Sequence, residues 1–285
     1  MMERLAQERT ALVLTGGGNR GAIQAGAVLA LFERGFRPDL IIGVSLGAIN
    51  GALLSFYPSI DGVHRMLHTW RGLDGRHLFA PGSLAWRGLA AFIFGRSAAY
   101  SNRELRDLLL ERLPSHRFSD TEVPFIAVAT DLATGSSVHL SDGDLVQAVL
   151  ASAAIPVHLP PVEVDGQLLV DGAIADPVPV AAAVAAGATR VIVVEPGHEC
   201  ECPRVYDNAA SIFSQSIAIM ARGRLAADLE AASDHTDIVH LGLTCHRDTP
   251  MTDLSRTPEM IESGYQEAAL WLETSGLDLL KSSMS

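Results

Sequence analysis

The feature that most constrains the fold is a strand–turn–helix unit that occurs twice near the start of the chain. An apolar run at 11–14 leads into a glycine-rich turn at 15–21, and helical apolar spacing follows over 22–34. A second apolar run at 40–44 leads into Ser45 and a helix rich in small residues. Consecutive units of this kind predict a parallel sheet with helices on its faces.

Later segments continue the alternation of strands and helices. Strand-like runs lie at 125–130, 136–140, 162–164, 167–170, 190–195 and 237–241, and helix-like segments lie at 178–186, 209–232 and 258–274. We predict one α/β domain over residues 1–285, a three-layer α/β/α sandwich with a mostly parallel central sheet. A cap insert is expected at about 56–118 and a C-terminal helical extension at about 200–285.

Charge and composition exclude several classes of function. The 285 residues carry a formal net charge of −12, which argues against a nucleic-acid partner. Lys281 is the only lysine, so a Walker loop, a Schiff-base lysine and a Ser-x-x-Lys pair are all excluded. No apolar run reaches the roughly 18 residues of a membrane span, and the start lacks the apolar stretch of a signal peptide. A cytoplasmic protein is expected, with peripheral contact to membrane as an option.

Cysteine usage points to a reducing environment and to no metal. The three cysteines, at 200, 202 and 245, cannot all pair with one another. His198 lies beside the first two, but zinc ligand pairs usually leave two or more residues between cysteines. We therefore expect no metal and no cofactor.

Residues 56–100 are rich in aromatic and basic side chains. The segment holds Phe56, Tyr57, Trp70, Phe79, Trp86, Phe92, Phe94 and Tyr100, half of all the aromatics in the chain. The segment contains five arginines and only two aspartates, so it is locally basic in an acidic protein. It is either a helical lobe whose aromatics form their own small core, or a surface that meets an anionic, apolar partner such as a lipid layer.

The glycine-rich turn has two interpretations. Gly16, Gly18 and Gly21 satisfy G-x-G-x-x-G, and Asp39 supplies an acid about 20 residues on, as a dinucleotide site requires. That acid should follow the second strand, but Asp39 precedes it and Ser45 occupies the carboxyl end. The turn therefore indicates backbone N–H groups directed at an anion near a helix N-terminus.

Ser45 lies in a G-x-S-x-G turn, Gly43-Val-Ser-Leu-Gly47, between a strand and a helix. Such a turn is either structural or lifts a nucleophilic hydroxyl above the edge of a sheet. A nucleophile needs a base, and Asp171 follows a strand and precedes a glycine, where it can serve as a base or cap a turn. A conventional triad would instead use a late histidine, for which His235, His240 and His246 are available.

These blocks together resemble the patatin-like phospholipase family. The similarity rests on Thr15–Gly21, Gly43–Gly47, Ala151–Pro161 and Asp171-Gly-Ala, in the order typical of the family, with Thr130–Gly135 also similar. The resemblance implies a Ser–Asp dyad with Ser45 as nucleophile and Asp171 as base. It also implies an oxyanion hole formed by the N–H groups of Gly16, Gly17 and Gly18, with Arg20 as a nearby electrostatic stabiliser.

Two positions depart from the family pattern. Ala173 stands where the family often has glycine, and Asp176 stands where it often has asparagine. Two close acids raise each other's pKa, so Asp176 is expected either to raise the pKa of Asp171 or to point into solvent without effect.

The expected function is hydrolysis of fatty-acyl esters, of the phospholipase A or lysophospholipase type, with a phospholipid or similar ester as substrate. Acyl transfer or thioester hydrolysis by the same dyad remains an alternative. So do an inactive module that binds lipid or nucleotide and, less in keeping with the residues, an NAD(P)-dependent oxidoreductase. The oligomeric state is not predicted.

Overall fold

The computed structural model describes residues 8–73, 97–199, 236–244 and 253–276, together with positions 219, 223 and 249. The strands are β1 Thr10–Leu14, β2 Leu40–Val44, β3 Phe125–Asp131, β4 Ser137–Leu140, β5 Val162–Val164, β6 Gln167–Asp171, β7 Arg190–Glu199 and β8 Asp237–Thr244. The helices are α1 Gly21–Glu33, α2 Leu46–Phe56, α3 Ile60–Gly72, α4 Arg103–Arg112, α5 Leu145–Ser152, α6 Val180–Ala185 and α7 Thr257–Trp271. Apart from positions 219 and 223, the predicted helix at 209–232 lies outside the described residues, and so do the three cysteines.

All eight strands belong to one sheet, and its central part is parallel. β1 lies between β2 and β7, and β3 and β8 extend the parallel part on either side. β4, β5 and β6 join by antiparallel pairing near β3. Two buried clusters cover the two faces, one with α1, α2 and α7 and the other with α6. The predicted α/β/α sandwich with a mostly parallel sheet is therefore confirmed.

β1 and β2 are apolar along their whole length because both faces of these strands are covered. Every residue of both strands is buried, and alternate residues enter opposite clusters, as Leu12 and Val13 do. This is the pattern of a parallel strand with helices above and below. The hairpin predicted at 165–166 is also present, with positive φ at Asp165 and Gly166.

The described part of the aromatic segment joins the main core. Phe56 and Trp70 are buried in the same cluster as α1, which differs from the separate small core considered above. Tyr57 is 37% exposed, and the guanidinium of Arg65 lies 4.9 Å from its ring centroid. Residues 74–96, with four of the aromatics, lie outside the described part, so contact of this segment with a lipid surface stays a prediction.

No helix among the described residues is both long enough and apolar enough to span a bilayer.

α7 and α1 cross at glycine contacts that bring the two backbones together. A Cβ at Gly264 would lie 1.9 Å from the carbonyl oxygen of Ile23, and a Cβ at Gly26 would lie 2.0 Å from that of Ile261. Real atoms do not approach this closely, so any side chain at either position would push the helices apart. The crossing attaches the end of the chain to the helix that follows the glycine-rich turn.

Gly264→Ala is expected to lower the free energy of unfolding by about 2 kcal/mol or more, because the added methyl must displace backbone rather than a flexible side chain. Urea denaturation followed by circular dichroism measures the change. Gly72→Ala is the matched control, since a Cβ at this helical glycine meets nothing within 4 Å. Equal stability of the two variants would contradict the close crossing.

Candidate active site

The register of β3 brings the ends of β2 and β6 together. Ala127 and Val128 pair with β4 and with β2, whereas Ala129 and Thr130 pair with β4 and with β6. Because β4 occupies one side of β3 along this stretch, β2 and β6 must both lie on the other side, end to end. Val44 pairs with Val128 and Asp171 with Ala129, the next residue. The residue after β2, Ser45, therefore meets the last residue of β6.

Ser45 occupies a strained turn at the carboxyl end of β2. Its backbone has φ 56° and ψ −124°, a conformation that non-glycine residues adopt at a cost of about 1–3 kcal/mol and that is common at functional sites. The flanking glycines make the turn feasible. A Cβ at Gly43 would lie 2.5 Å from the Cα of Ala48, and one at Gly47 would lie 2.1 Å from the carbonyl oxygen of Leu14. The two glycines of the motif are thus required by close backbone contacts.

A second serine holds the backbone of Ser45 in place. The N–H of Ser45 donates to Oγ of Ser152 at 3.0 Å, and the hydroxyl of Ser152 donates to the carbonyl oxygen of Val128 at 2.6 Å. Ser152 is fully buried at the end of α5. Ser152 is not among the predicted site residues, although it lies within the block 151–161 that resembles the family. Nothing in its spacing signals a contact more than 100 residues away.

Asp171 is 4% exposed and is held on several sides. Its Oδ1 accepts a hydrogen bond from the N–H of Ala173 at 2.9 Å, and its carbonyl oxygen accepts from the hydroxyl of Thr130 at 2.8 Å. The hydroxyl of Ser45 lies near enough to the carboxylate to lower its pKa. Burial raises the pKa of Asp171 to about 6, while the hydrogen bonds from Ser45 and Ala173 act in the opposite direction.

The glycine-rich turn lies directly beside Ser45. A Cβ at Gly16 would lie 3.7 Å from Oγ of Ser45, so the bare backbone of the turn borders the hydroxyl. Within the described part of the chain, no residue accepts a hydrogen bond from the N–H of Gly16 or of Gly17. Gly18 begins a single 3-10 turn that ends at Arg20, and the N–H of Arg20 donates to the carbonyl oxygen of Gly17 at 3.3 Å. Two N–H donors are therefore available next to the serine.

Asp176 is buried, and yet it does not contribute to the raised pKa of Asp171. Asp176 is 7% exposed and so does not point into solvent. Asp171 owes its raised pKa to burial, and Asp176 is not among the groups that shift it. Nε2 of His139 lies 3.9 Å from Oδ2 of Asp176.

The structure places one key residue each of the dinucleotide and triad alternatives. Asp39 precedes β2 and accepts a hydrogen bond from the N–H of Thr10 at 2.8 Å, so it lies at the opposite edge of the sheet from the glycine-rich turn. His240 has Nε2 2.8 Å from Oε2 of Glu195, whereas the strand register places Asp171 beside Ser45. His235 and His246 lie outside the described residues. In the described part of the chain, no group of three His, Cys, Asp or Glu side chains could hold a metal ion.

The raised pKa of Asp171 predicts a pH-dependent cost to stability. The ordinary value is 3.8 and the folded value is about 6, so between them the folded state keeps a proton that the unfolded chain releases. The free energy of unfolding must therefore fall as pH rises through this interval. The side chain of the Asp171→Asn variant cannot ionise, so the free energy of unfolding of this variant does not fall over this interval. We expect it to be more stable than the wild type at neutral pH by up to about 3 kcal/mol, with the advantage vanishing below about pH 4.

Urea denaturation of both proteins over this pH range measures the difference. Asp142→Asn, at an exposed carboxylate, is the control and should lack the pH-dependent gain. An advantage of Asp171→Asn that is the same at acidic and neutral pH would contradict the assignment of the shift to burial.

Comparison with known proteins identifies the family of this chain. The profile of the patatin-like phospholipase family matches residues 12–184. An uncharacterized NTE family protein of Mycobacterium tuberculosis is 35% identical over 190 residues, which is 65% of this chain and 48% of that protein. A patatin-like phospholipase domain-containing protein of Caenorhabditis elegans is 32% identical over 208 residues, 70% of this chain but 14% of that protein.

Among solved structures, VipD from Legionella pneumophila is similar in fold. The match has a TM-score of 0.50 and 16% sequence identity, and covers 94% of this chain and 67% of that chain. The chain spans about half the length of the mycobacterial relative and a smaller share of the nematode one. Since the family profile covers more than half of the sequence, from β1 into α6, the chain belongs to the patatin-like phospholipase family.

Proposed function

We propose that this protein hydrolyses fatty-acyl esters of lipids through a Ser45–Asp171 dyad. The observation that carries the proposal is the meeting of Ser45, in a strained turn at the end of β2, with the buried carboxylate of Asp171 at the end of β6. Burial raises the pKa of this carboxylate to about 6. A base with this pKa is largely ionised at neutral pH and yet more basic than an ordinary carboxylate. Membership in a phospholipase family favours a lipid ester as substrate over other acyl esters.

The first half of the reaction acylates the serine. Asp171 takes the proton of Ser45 as Oγ attacks the carbonyl carbon of the ester. The backbone of Gly16 borders Oγ, and among the described residues nothing accepts a hydrogen bond from the N–H of Gly16 or of Gly17, which suits this turn to hold the oxyanion that forms. When the intermediate collapses, the C–O bond to the alcohol breaks and the alcohol leaves with the proton from Asp171.

The second half restores the enzyme. Asp171, again ionised, takes a proton from a water molecule that attacks the acyl-serine. The fatty acid leaves, and Oγ of Ser45 recovers its proton. If an alcohol such as glycerol replaces water at this step, the same dyad transfers the acyl group, so the product distribution separates hydrolase from transferase.

The pH profile tests the base. We expect kcat/KM for a short-chain nitrophenyl ester to rise with pH, to reach half of its maximum near pH 6, and to stay level above it, because the carboxylate form of Asp171 must be present. Below the midpoint, kcat/KM should fall about tenfold for each pH unit, as a single ionisation requires. Ser45→Ala is the blank, and Asp142→Asn should keep the wild-type profile.

Asp171→Asn tests the same assignment directly, because the amide keeps the shape of the carboxyl group but cannot accept the proton. Its kcat/KM should fall by a factor of about 10² to 10⁴, the usual contribution of a general base. His240→Ala, which removes the histidine paired with Glu195, should stay close to wild type. A variant series in which His240→Ala is inactive and Asp171→Asn is active would show that the dyad is wrong.

A mixed panel of phospholipids, lysophospholipids and neutral esters, analysed by mass spectrometry with Ser45→Ala as the blank, identifies the substrate. Release of free fatty acid from at least one lipid is the expected result.

A further inference from the structure

Three buried polar side chains connect helices α1, α2 and α3 in one chain of hydrogen bonds. Gln24 and Asn50 are 0% exposed, and Trp70 is 1% exposed. The indole N–H of Trp70 donates to Oδ1 of Asn50 at 2.7 Å, and Nδ2 of Asn50 donates to Oε1 of Gln24 at 3.0 Å. None of the three is explained by the Ser45–Asp171 dyad.

This series of hydrogen bonds ends at the glycine-rich turn. Nε2 of Gln24 donates to the carbonyl oxygen of Thr15 at 3.2 Å and to that of Val194 at 3.0 Å. Nδ2 of Asn50 also donates to the carbonyl oxygen of Gly21 at 3.0 Å. Thr15 and Gly21 are the residues immediately before and after 16–20, so the two amides hold both ends of the turn.

Packing alone does not require these amides. Burying an amide is costly unless its donors and acceptor are all paired, and an apolar residue of similar size would join the surrounding core without that requirement. Both amides meet it fully, since each NH₂ group makes two hydrogen bonds and each oxygen accepts one. A fully paired buried network of this kind rigidifies the elements that it joins.

The hydrogen bond from Gln24 to the carbonyl oxygen of Thr15 fixes the orientation of one N–H group, that of Gly16. The carbonyl of Thr15 and the N–H of Gly16 belong to one planar, trans peptide unit and point in opposite directions. When Gln24 holds this carbonyl oxygen, the N–H of Gly16 is held as well. A Cβ at Gly16 would lie 3.1 Å from Cβ of Ser45, so this peptide unit is next to the serine.

We infer that Gln24 is a positioning residue that orients the N–H of Gly16 for the oxyanion, and that Asn50 and Trp70 hold Gln24 in place. The inference rests on the proposed acyl hydrolysis, because that reaction forms the oxyanion. It extends the site from the turn to α3, the first helix of the aromatic segment.

The test measures kcat and KM for the nitrophenyl ester, and the rate at which a fluorophosphonate labels Ser45. Gln24→Met keeps the length of the side chain and removes its hydrogen bonds. Its kcat should fall about tenfold to a hundredfold, as misplacement of a catalytic group by about 1 Å does, with KM changed by less than about twofold. Labelling should slow by a similar factor, because the phosphoryl oxygen uses the same donors.

Trp70→Phe and Asn50→Asp test the outer links and carry the experiment if Gln24→Met does not fold. Trp70→Phe removes only the indole donor and should lower kcat less than Gln24→Met does. Ser55→Ala and Met66→Leu are the controls. They lie on α2 and α3, are fully buried and are not part of the network. They should lower stability and leave kcat and the labelling rate at the wild-type level.

The outcomes separate this inference from the proposed function. If folded network variants keep the kcat of Ser55→Ala while Ser45→Ala is inactive, the positioning role is wrong and acyl hydrolysis stands. A rise in KM at constant kcat also overturns the positioning role. A wild-type protein that shows neither Ser45-dependent turnover nor labelling overturns the proposed hydrolysis and this inference with it.

Discussion

The site depends on the way in which three strands share β3. β4 covers one side of β3 along residues 127–130, so β2 and β6 must divide the other side between them. β2 stops after Val44 and β6 arrives from the opposite direction and stops at Asp171. Both strands end at the same point of β3. Ser45, the residue after β2, therefore lies beside Asp171, the last residue of β6. The pairing of Ser45 with Asp171 is therefore a consequence of backbone hydrogen bonds, and the close contacts at Gly43 and Gly47 prevent the turn from relaxing away.

The strand order could be predicted only in part from the sequence. Continuous apolar runs at 11–14 and 40–44 predict fully buried parallel strands, and Asp165-Gly166 predicts a hairpin; the structure contains all of these. The division of β3 between β2 and β6 could not be predicted, because register depends on side chains and turns that lie far apart in the chain. The aromatic segment was ambiguous for a similar reason. Composition does not distinguish Trp70, which enters the main core, from an aromatic residue that packs within a separate lobe.

The residues of the candidate site could also be predicted only in part from the sequence. Ser45, Asp171 and the glycines lie in short motifs, so their local geometry follows from their neighbours. Ser152, Gln24 and Asn50 lie within helices whose other residues are nearly all apolar or small, and no local pattern marks them as functional. Only the observation that a polar residue interrupts a buried helix could have drawn attention to them, since a buried polar group needs a partner. Asp176 shows the opposite failure, because proximity in sequence to Asp171 predicted an electrostatic effect that the fold does not produce.

A carboxylate can replace a histidine as base only if the protein raises its basicity, and burial is the means available here. An exposed aspartate, with a pKa near 3.8, is a weak acceptor for a serine proton, whereas Asp171 with a pKa of about 6 approaches the range in which histidine works. Burial alone would favour the neutral acid, which is useless as a base. The interactions with Ser45 and Ala173 oppose that tendency by lowering the pKa. The two effects must be balanced, because stronger burial would leave the carboxyl protonated and stronger hydrogen bonding would return it to an ordinary weak base. In the proposed reaction, the role of the surroundings, from the strained turn to the paired buried amides, is to hold these groups in place so that the balance stays constant as charge moves.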